Sequence, residues 1–77
     1  MSRILPLKPN KLIKVLQKAG FQPVRRKGSH VILMNERRTR IVIPVHPGKE
    51  VKPTLVRAIL KEAGLSREEF NKLLEQV

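Results

Sequence analysis

Residues 24–34, Val24-Arg25-Arg26-Lys27-Gly28-Ser29-His30-Val31-Ile32-Leu33-Met34, decide the fold. A basic run meets an apolar one, and Gly28 makes the break between them. Short runs rich in Val and Ile and bounded by turn residues read as strands. The spacing predicts a first strand over 22–27 and a second over 29–35. Pro23 lacks an N–H and restricts the first to an early or edge position. Downstream, Asn35-Glu36-Arg37-Arg38-Thr39 is a polar turn and residues 40–45 are a third strand. In that strand Ile41, Ile43 and Val45 share one face, and Arg40, Val42 and Pro44 share the other. Three strands with short connections make an antiparallel meander.

Helices flank the meander. Pro9 suits a first helical position, where the N–H it lacks would be unpaired anyway. Leu12, Val15, Leu16 and Ala19, with Ile13 beside them, repeat at helical spacing as one apolar face. Gly20 ends this helix where a left-handed residue is needed, and Phe21 folds back on the last turn. Pro53 opens a second helix whose predicted buried stripe is Leu55, Ile59 and Ala63, with Val56 and Leu60 beside it. Gly64-Leu65 repeats the Gly20-Phe21 ending. Ser66 and Glu69 have capping-box spacing, and Phe70, Leu73, Leu74 and Val77 complete a short third helix. The order is α-β-β-β-α-α, an α+β fold. The two long helices are expected on one face of the sheet, with the third extending that layer or covering an edge.

The 77 residues are expected to form one domain spanning 1–77. A domain this small buries only about 60% of its unfolded surface, so its core is limited. With 40% hydrophobic and 30% charged residues, the composition fits a globule better than a disordered segment. The absence of cysteine excludes disulfides and thiolate metal sites. Two histidines and few carboxylates give no expectation of a metal or other cofactor. The apolar runs are too short to span a membrane, and Met1-Ser2-Arg3-Ile4-Leu5-Pro6 has no secretory apolar core. The expected compartment is the cytoplasm.

Charge is the strongest compositional signal. Seventeen Lys and Arg against six Asp and Glu give a net +11. Every cation before Glu36 lacks an acidic neighbour in sequence. Such a domain points first to a polyanion, with a merely soluble basic surface or an acidic protein partner as the competing readings. Phe21 and Phe70 are the only aromatic residues. That argues against a sheet that stacks splayed bases on aromatic rings.

His30 is the side chain best suited to move a proton near neutral pH. A lone histidine is more often structural than catalytic. The Gly-Ser before it and the basic flank favour a site. Ser29 either bonds a phosphate or satisfies a strand end. Arg25, Arg26 and Lys27 read as phosphate clamps or as a solvated strand. Lys11, Lys14 and Lys18 share one face of the first helix, read either as solvated or as touching phosphate. Lys49 and Lys52 precede a helix N-terminus, which favours anions. Pro53 removes one of its donors. Three readings stand for His46: a partner acid to His30, a phosphate contact, or a cap for the loop before the second helix.

Four stretches carry a family resemblance: Leu16-Gln17-Lys18-Ala19-Gly20-Phe21, Lys27-Gly28-Ser29-His30, Ile43-Pro44-Val45-His46, and Leu60-Lys61-Glu62-Ala63-Gly64-Leu65-Ser66 followed by Glu69-Phe70. In this order they resemble the HicA toxins, small bacterial mRNA interferases of toxin–antitoxin pairs, over about residues 8–75. The resemblance implies a fold similar to a double-stranded-RNA-binding domain, α-β-β-β-α. It also implies metal-independent cleavage of mRNA, with the histidine of the Gly-Ser-His motif, here His30, essential, and inhibition by a HicB-type antitoxin. Gly28 and Ser29 match that motif as well. Residues 35–39 depart from family members that carry an Asp-Gly turn at this point. The alternative is a non-catalytic double-stranded-RNA-binding module in which His30 only contacts phosphate or the minor groove.

Overall fold

The computed structural model describes residues 4–77. Of the lead-in expected over 1–8, residues 1–3 lie outside the described residues. The elements run α1 (Pro9–Lys18), β1 (Gln22–Lys27), β2 (His30–Met34), β3 (Arg40–Pro44), α2 (Pro53–Ala63) and α3 (Arg67–Glu75). This is the α+β order expected. The strands form one antiparallel sheet in the order β1-β2-β3.

Alternation along the strands sorts the sheet into two faces. Val31 and Leu33 of β2 pair with Ile43 and Ile41 of β3, and all are buried. They join Leu12, Val15 and Leu16 of α1, Val56, Ile59 and Leu60 of α2, and Phe70 of α3 in one apolar cluster. All three helices therefore contribute to the same side. α3 packs against α1 and so extends the helical layer. The opposite face carries no helix among the described residues. On it Ile32 is well buried yet stands outside the main cluster, and Val42 is exposed.

The α2 stripe differs from the sequence expectation. Val56, Ile59 and Leu60 are buried, and Leu55 is exposed. The inward set is Val56, Ile59, Leu60 and Ala63, at i, i+3, i+4 and i+7, and Leu55 is turned away by one residue. β3 ends at Pro44, although Val45 still packs against the core.

Both long helices end alike. The Gly20 N–H donates to the Gln17 carbonyl (3.1 Å) and the Phe21 N–H to Leu16 (2.9 Å). The Gly64 N–H donates to Lys61 (3.2 Å) and the Leu65 N–H to Leu60 (3.0 Å). Both are Schellman endings, with the glycine at positive φ.

α3 begins with the expected capping box. The Glu69 N–H donates to Ser66 Oγ (3.1 Å) and the Ser66 N–H to Glu69 Oε1 (3.0 Å). These hydrogen bonds to Ser66, with Lys72 adding a smaller attraction, hold the Glu69 carboxyl below the ordinary carboxylate range. A carboxyl lowered in the folded state stabilises it above the unfolded value and loses that contribution as pH falls through the lowered one. Ser66→Ala is expected to cost about 1 kcal/mol. Its urea midpoint should approach the parent's as pH drops into the acid range; a constant gap from pH 7 to pH 3 would refute the coupling.

Candidate active site

The site starts from the turn between β1 and β2. Lys27 and His30 are directly paired, leaving Gly28 and Ser29 as a two-residue hairpin loop. Gly28 has φ 57°, and Ser29 is not among the positive-φ residues. This is the type II′ pattern, which calls for glycine at the first loop position. Ser29 therefore lies in the turn and not in β2 as the sequence suggested. Its carbonyl accepts the Val45 N–H at 2.6 Å, which ties the turn to the end of β3. The turn makes His30 the first residue of the central strand, flanked by Lys27 on β1 and Pro44 on β3.

Register places the neighbouring side chains. Lys27 lies opposite His30, and Arg25 lies opposite Ile32, so both cations share the open face with the histidine. Arg26 lies opposite Val31, whose side chain enters the core, and belongs to the other face. The three consecutive cations are thus divided two and one. An irregularity at Val24 shifts the register between Pro23 and Arg25. That extra residue interrupts the alternation, so Pro23 and Arg25, two apart in sequence, fall on opposite faces. Arg40, paired with Met34, stands at the far end of the same open face.

His46 follows closely. The ladder extends one pair beyond the strands, from Ser29 to Val45, and His46 is the next residue. It lines two clefts. One, of about 330 Å³, is bounded by Lys8, Pro9, Asn10, His46, Lys49 and Glu50, among others. The second, of about 240 Å³, includes Pro44, His46, Lys49, Lys52 and Leu55. The imidazoles of His30 and His46 are exposed and make no hydrogen bond among the described residues. The loop after His46 is closed by a backbone bond, Lys49 N–H to the His46 carbonyl (3.1 Å), and the His46 side chain makes no capping bond among the described residues.

A backbone bridge brings the two long helices together at their starts. The Leu7 N–H donates to Val51 (3.1 Å) and the Val51 N–H to Leu7 (2.7 Å). Lys8-Pro9 and Lys52-Pro53 come immediately after. Neither helix start has a side-chain cap or an acidic residue in its first turn, whereas α3 has both. Lys8, Lys49 and Lys52 therefore meet around His46. Sequence reading passed over Lys8; the repeated Lys-Pro after an apolar residue was the available signal. Lys11 is exposed in the first turn of α1. Lys14 lines a groove with Gln17, Lys18, Gln76 and Val77, on the side of α1 nearer the C-terminus, and is not brought to the histidines. Of the six acidic residues, Glu68, Glu69 and Glu75 sit on α3. Glu50 is the acidic residue that shares the clefts with Lys8, Lys49 and Lys52.

The fold and the site define a class: a small basic α+β domain of α-β-β-β-α order with a C-terminal helix added. Its cation-lined end carries two exposed histidines. A family model described as the HicA toxin of bacterial toxin–antitoxin pairs matches residues 9–65 of the 77, from the start of α1 to just past α2. The chain belongs to the HicA toxin family. α3 lies outside the matched region. No curated protein matches the chain. No helix among the described residues is long and apolar enough to cross a membrane.

Proposed function

We propose that residues 1–77 act as one ribonuclease domain: a metal-independent mRNA endoribonuclease that works in the cytoplasm and is held inactive by a HicB-type antitoxin. The observation that carries this reading is His30. It is exposed and without a hydrogen-bond partner among the described residues, fixed at the start of the central strand, with Lys27 directly across the ladder. RNA brings its own nucleophile, the 2′-hydroxyl. Cleavage then needs a group to move a proton and cations near the charge that develops on phosphorus. His30 supplies the first and Lys27 with Arg25 the second. Gly28 keeps the turn tight, and Ser29 offers a hydroxyl beside it. Lys8, Lys49 and Lys52 hold flanking phosphates, with Lys11 at their margin; these contacts position the strand without reading its sequence.

Incubation of a labelled mRNA with the purified protein in EDTA tests the function. Cleavage is the expected result. Binding without cleavage would leave a double-stranded-RNA-binding module, and neither would end the RNA reading.

The division of the basic run makes a second test. Lys27→Glu places a negative charge opposite His30, and Arg26→Glu places one on the other face. Lys27→Glu should weaken RNA binding uniformly across sequences, by about tenfold or more at low salt, and should reduce the salt dependence by roughly one counterion. Arg26→Glu should do clearly less. Equal losses from the two in a salt titration would show that net charge alone, and not the open face, holds RNA.

A further inference from the structure

The geometry points to His46 as a second catalytic residue, which shares proton transfer with His30 across the end of the sheet. This inference rests on the ribonuclease reading above and adds to it how the reaction is divided. His30 pairs with Pro44, and the ladder runs on through Ser29 and Val45. His46 is two residues past Pro44 and one past Val45, whose N–H is bonded to the Ser29 carbonyl, so it follows the end of β3 beside the turn that positions His30. Two further residues in the direction of β3 would put it about 7–8 Å from His30, the spacing of diagonal neighbours across a ladder. That separation lets two imidazoles stand on either side of one phosphodiester. Pro44, whose side chain is on the face of His30, and His46 line one cleft together with Thr54 and Leu55 at the start of α2.

The remaining readings of His46 are weakened by its surroundings. Its imidazole is exposed and bonds to nothing among the described residues, which weakens a structural role. Phosphate contact alone is already provided by Lys8, Lys49 and Lys52 around it. What the lysines lack at neutral pH, and an imidazole has, is the ability to exchange a proton readily.

The step balances without any co-reactant. One imidazole takes the proton from the 2′-hydroxyl as that oxygen bonds to phosphorus. The bond from phosphorus to the 5′-oxygen breaks, and the other imidazole, protonated, gives its proton to that oxygen. The products are a 2′,3′-cyclic phosphate and a free 5′-hydroxyl. His46 borders the lysine-lined clefts, which suit the departing strand, and so we place it at the 5′-oxygen. The charged groups facing it are Lys8, Lys49, Glu50 and Lys52, and those facing His30 are Arg25 and Lys27.

The experiment uses two RNA oligonucleotides of one sequence, one ordinary and one with sulfur in place of the bridging 5′-oxygen at the cleavage site. A thiolate leaves without needing a proton. His46→Ala is expected to cut the ordinary RNA at least 100-fold more slowly than the parent and to recover most of the parent rate on the sulfur-bridged RNA. His30→Ala should recover on neither. His46→Ala cutting ordinary RNA at the parent rate, or failing to recover on the sulfur-bridged one, overturns the inference while leaving the ribonuclease reading in place. A folded parent that cuts neither oligonucleotide nor any labelled mRNA overturns both.

Discussion

His30→Ala is expected to leave a folded protein that still binds RNA and cuts it about 10²–10⁴ times more slowly, the range that proton transfer by a positioned side chain contributes. The size follows from what the residue does and does not do. His30 is exposed, so removing the ring opens no cavity, and changes at such positions alter stability by no more than about 0.5 kcal/mol. The ladder that positions it is made of backbone bonds, which alanine preserves. Lys27, Arg25 and the lysines at the helix starts stay in place, so affinity should change little. Circular dichroism, a urea midpoint and an RNA-binding isotherm establish that the variant is intact, and single-turnover cleavage in EDTA gives the rate. An intact variant that cuts at the parent rate removes His30 from the chemistry.

The second large effect is on the fold. Phe21→Ala is expected to cost about 3–5 kcal/mol. Domains are stable by only about 5–15 kcal/mol, and small ones tend to the low end. The variant should therefore be largely unfolded at 37 °C. Phe21 is only 1% exposed and is among the largest fully buried side chains. Its N–H closes the α1 ending on Leu16, and β1 begins at the next residue. The ring thus couples the end of α1 to the sheet that carries His30. Thermal melts by circular dichroism provide the check. A cooperative transition within a few degrees of the parent would mean that this junction bears little of the stability.

Local features were legible in the sequence because their causes lie within a few residues of chain. The two Gly-apolar helix endings, the Ser66–Glu69 box and the Ile41/Ile43 alternation each depend on neighbours at most five apart. The polar turn was also legible: Asn35 Oδ1 accepts the N–H groups of Arg37 (3.0 Å) and Thr39 (2.8 Å), and Arg38 takes φ 64°. The errors were of two kinds. Leu55 was placed one residue out because Leu55 and Val56 are equally apolar, and only the neighbouring sheet shows which one faces inward. Ser29 was read as strand because a run of apolar residues follows it, whereas the hairpin needs it as the second residue of the loop.

The sequence by itself therefore determined the element order, both faces of β3, the helix caps and the presence of a histidine next to a Gly-Ser break. Each follows from φ/ψ preference, side-chain periodicity or short-range hydrogen bonding. Only the tertiary structure decided that Arg25 and Lys27 accompany His30 while Arg26 does not, that Lys8 joins Lys49 and Lys52, and that His46 directly follows the bond from Val45 to Ser29 at the end of the sheet. Those facts depend on the strand register with its irregularity at Val24, and on the bridge from Leu7 to Val51. Pairing between distant segments is chosen by how the whole core closes, and one residue of slip would reassign every side chain on a strand.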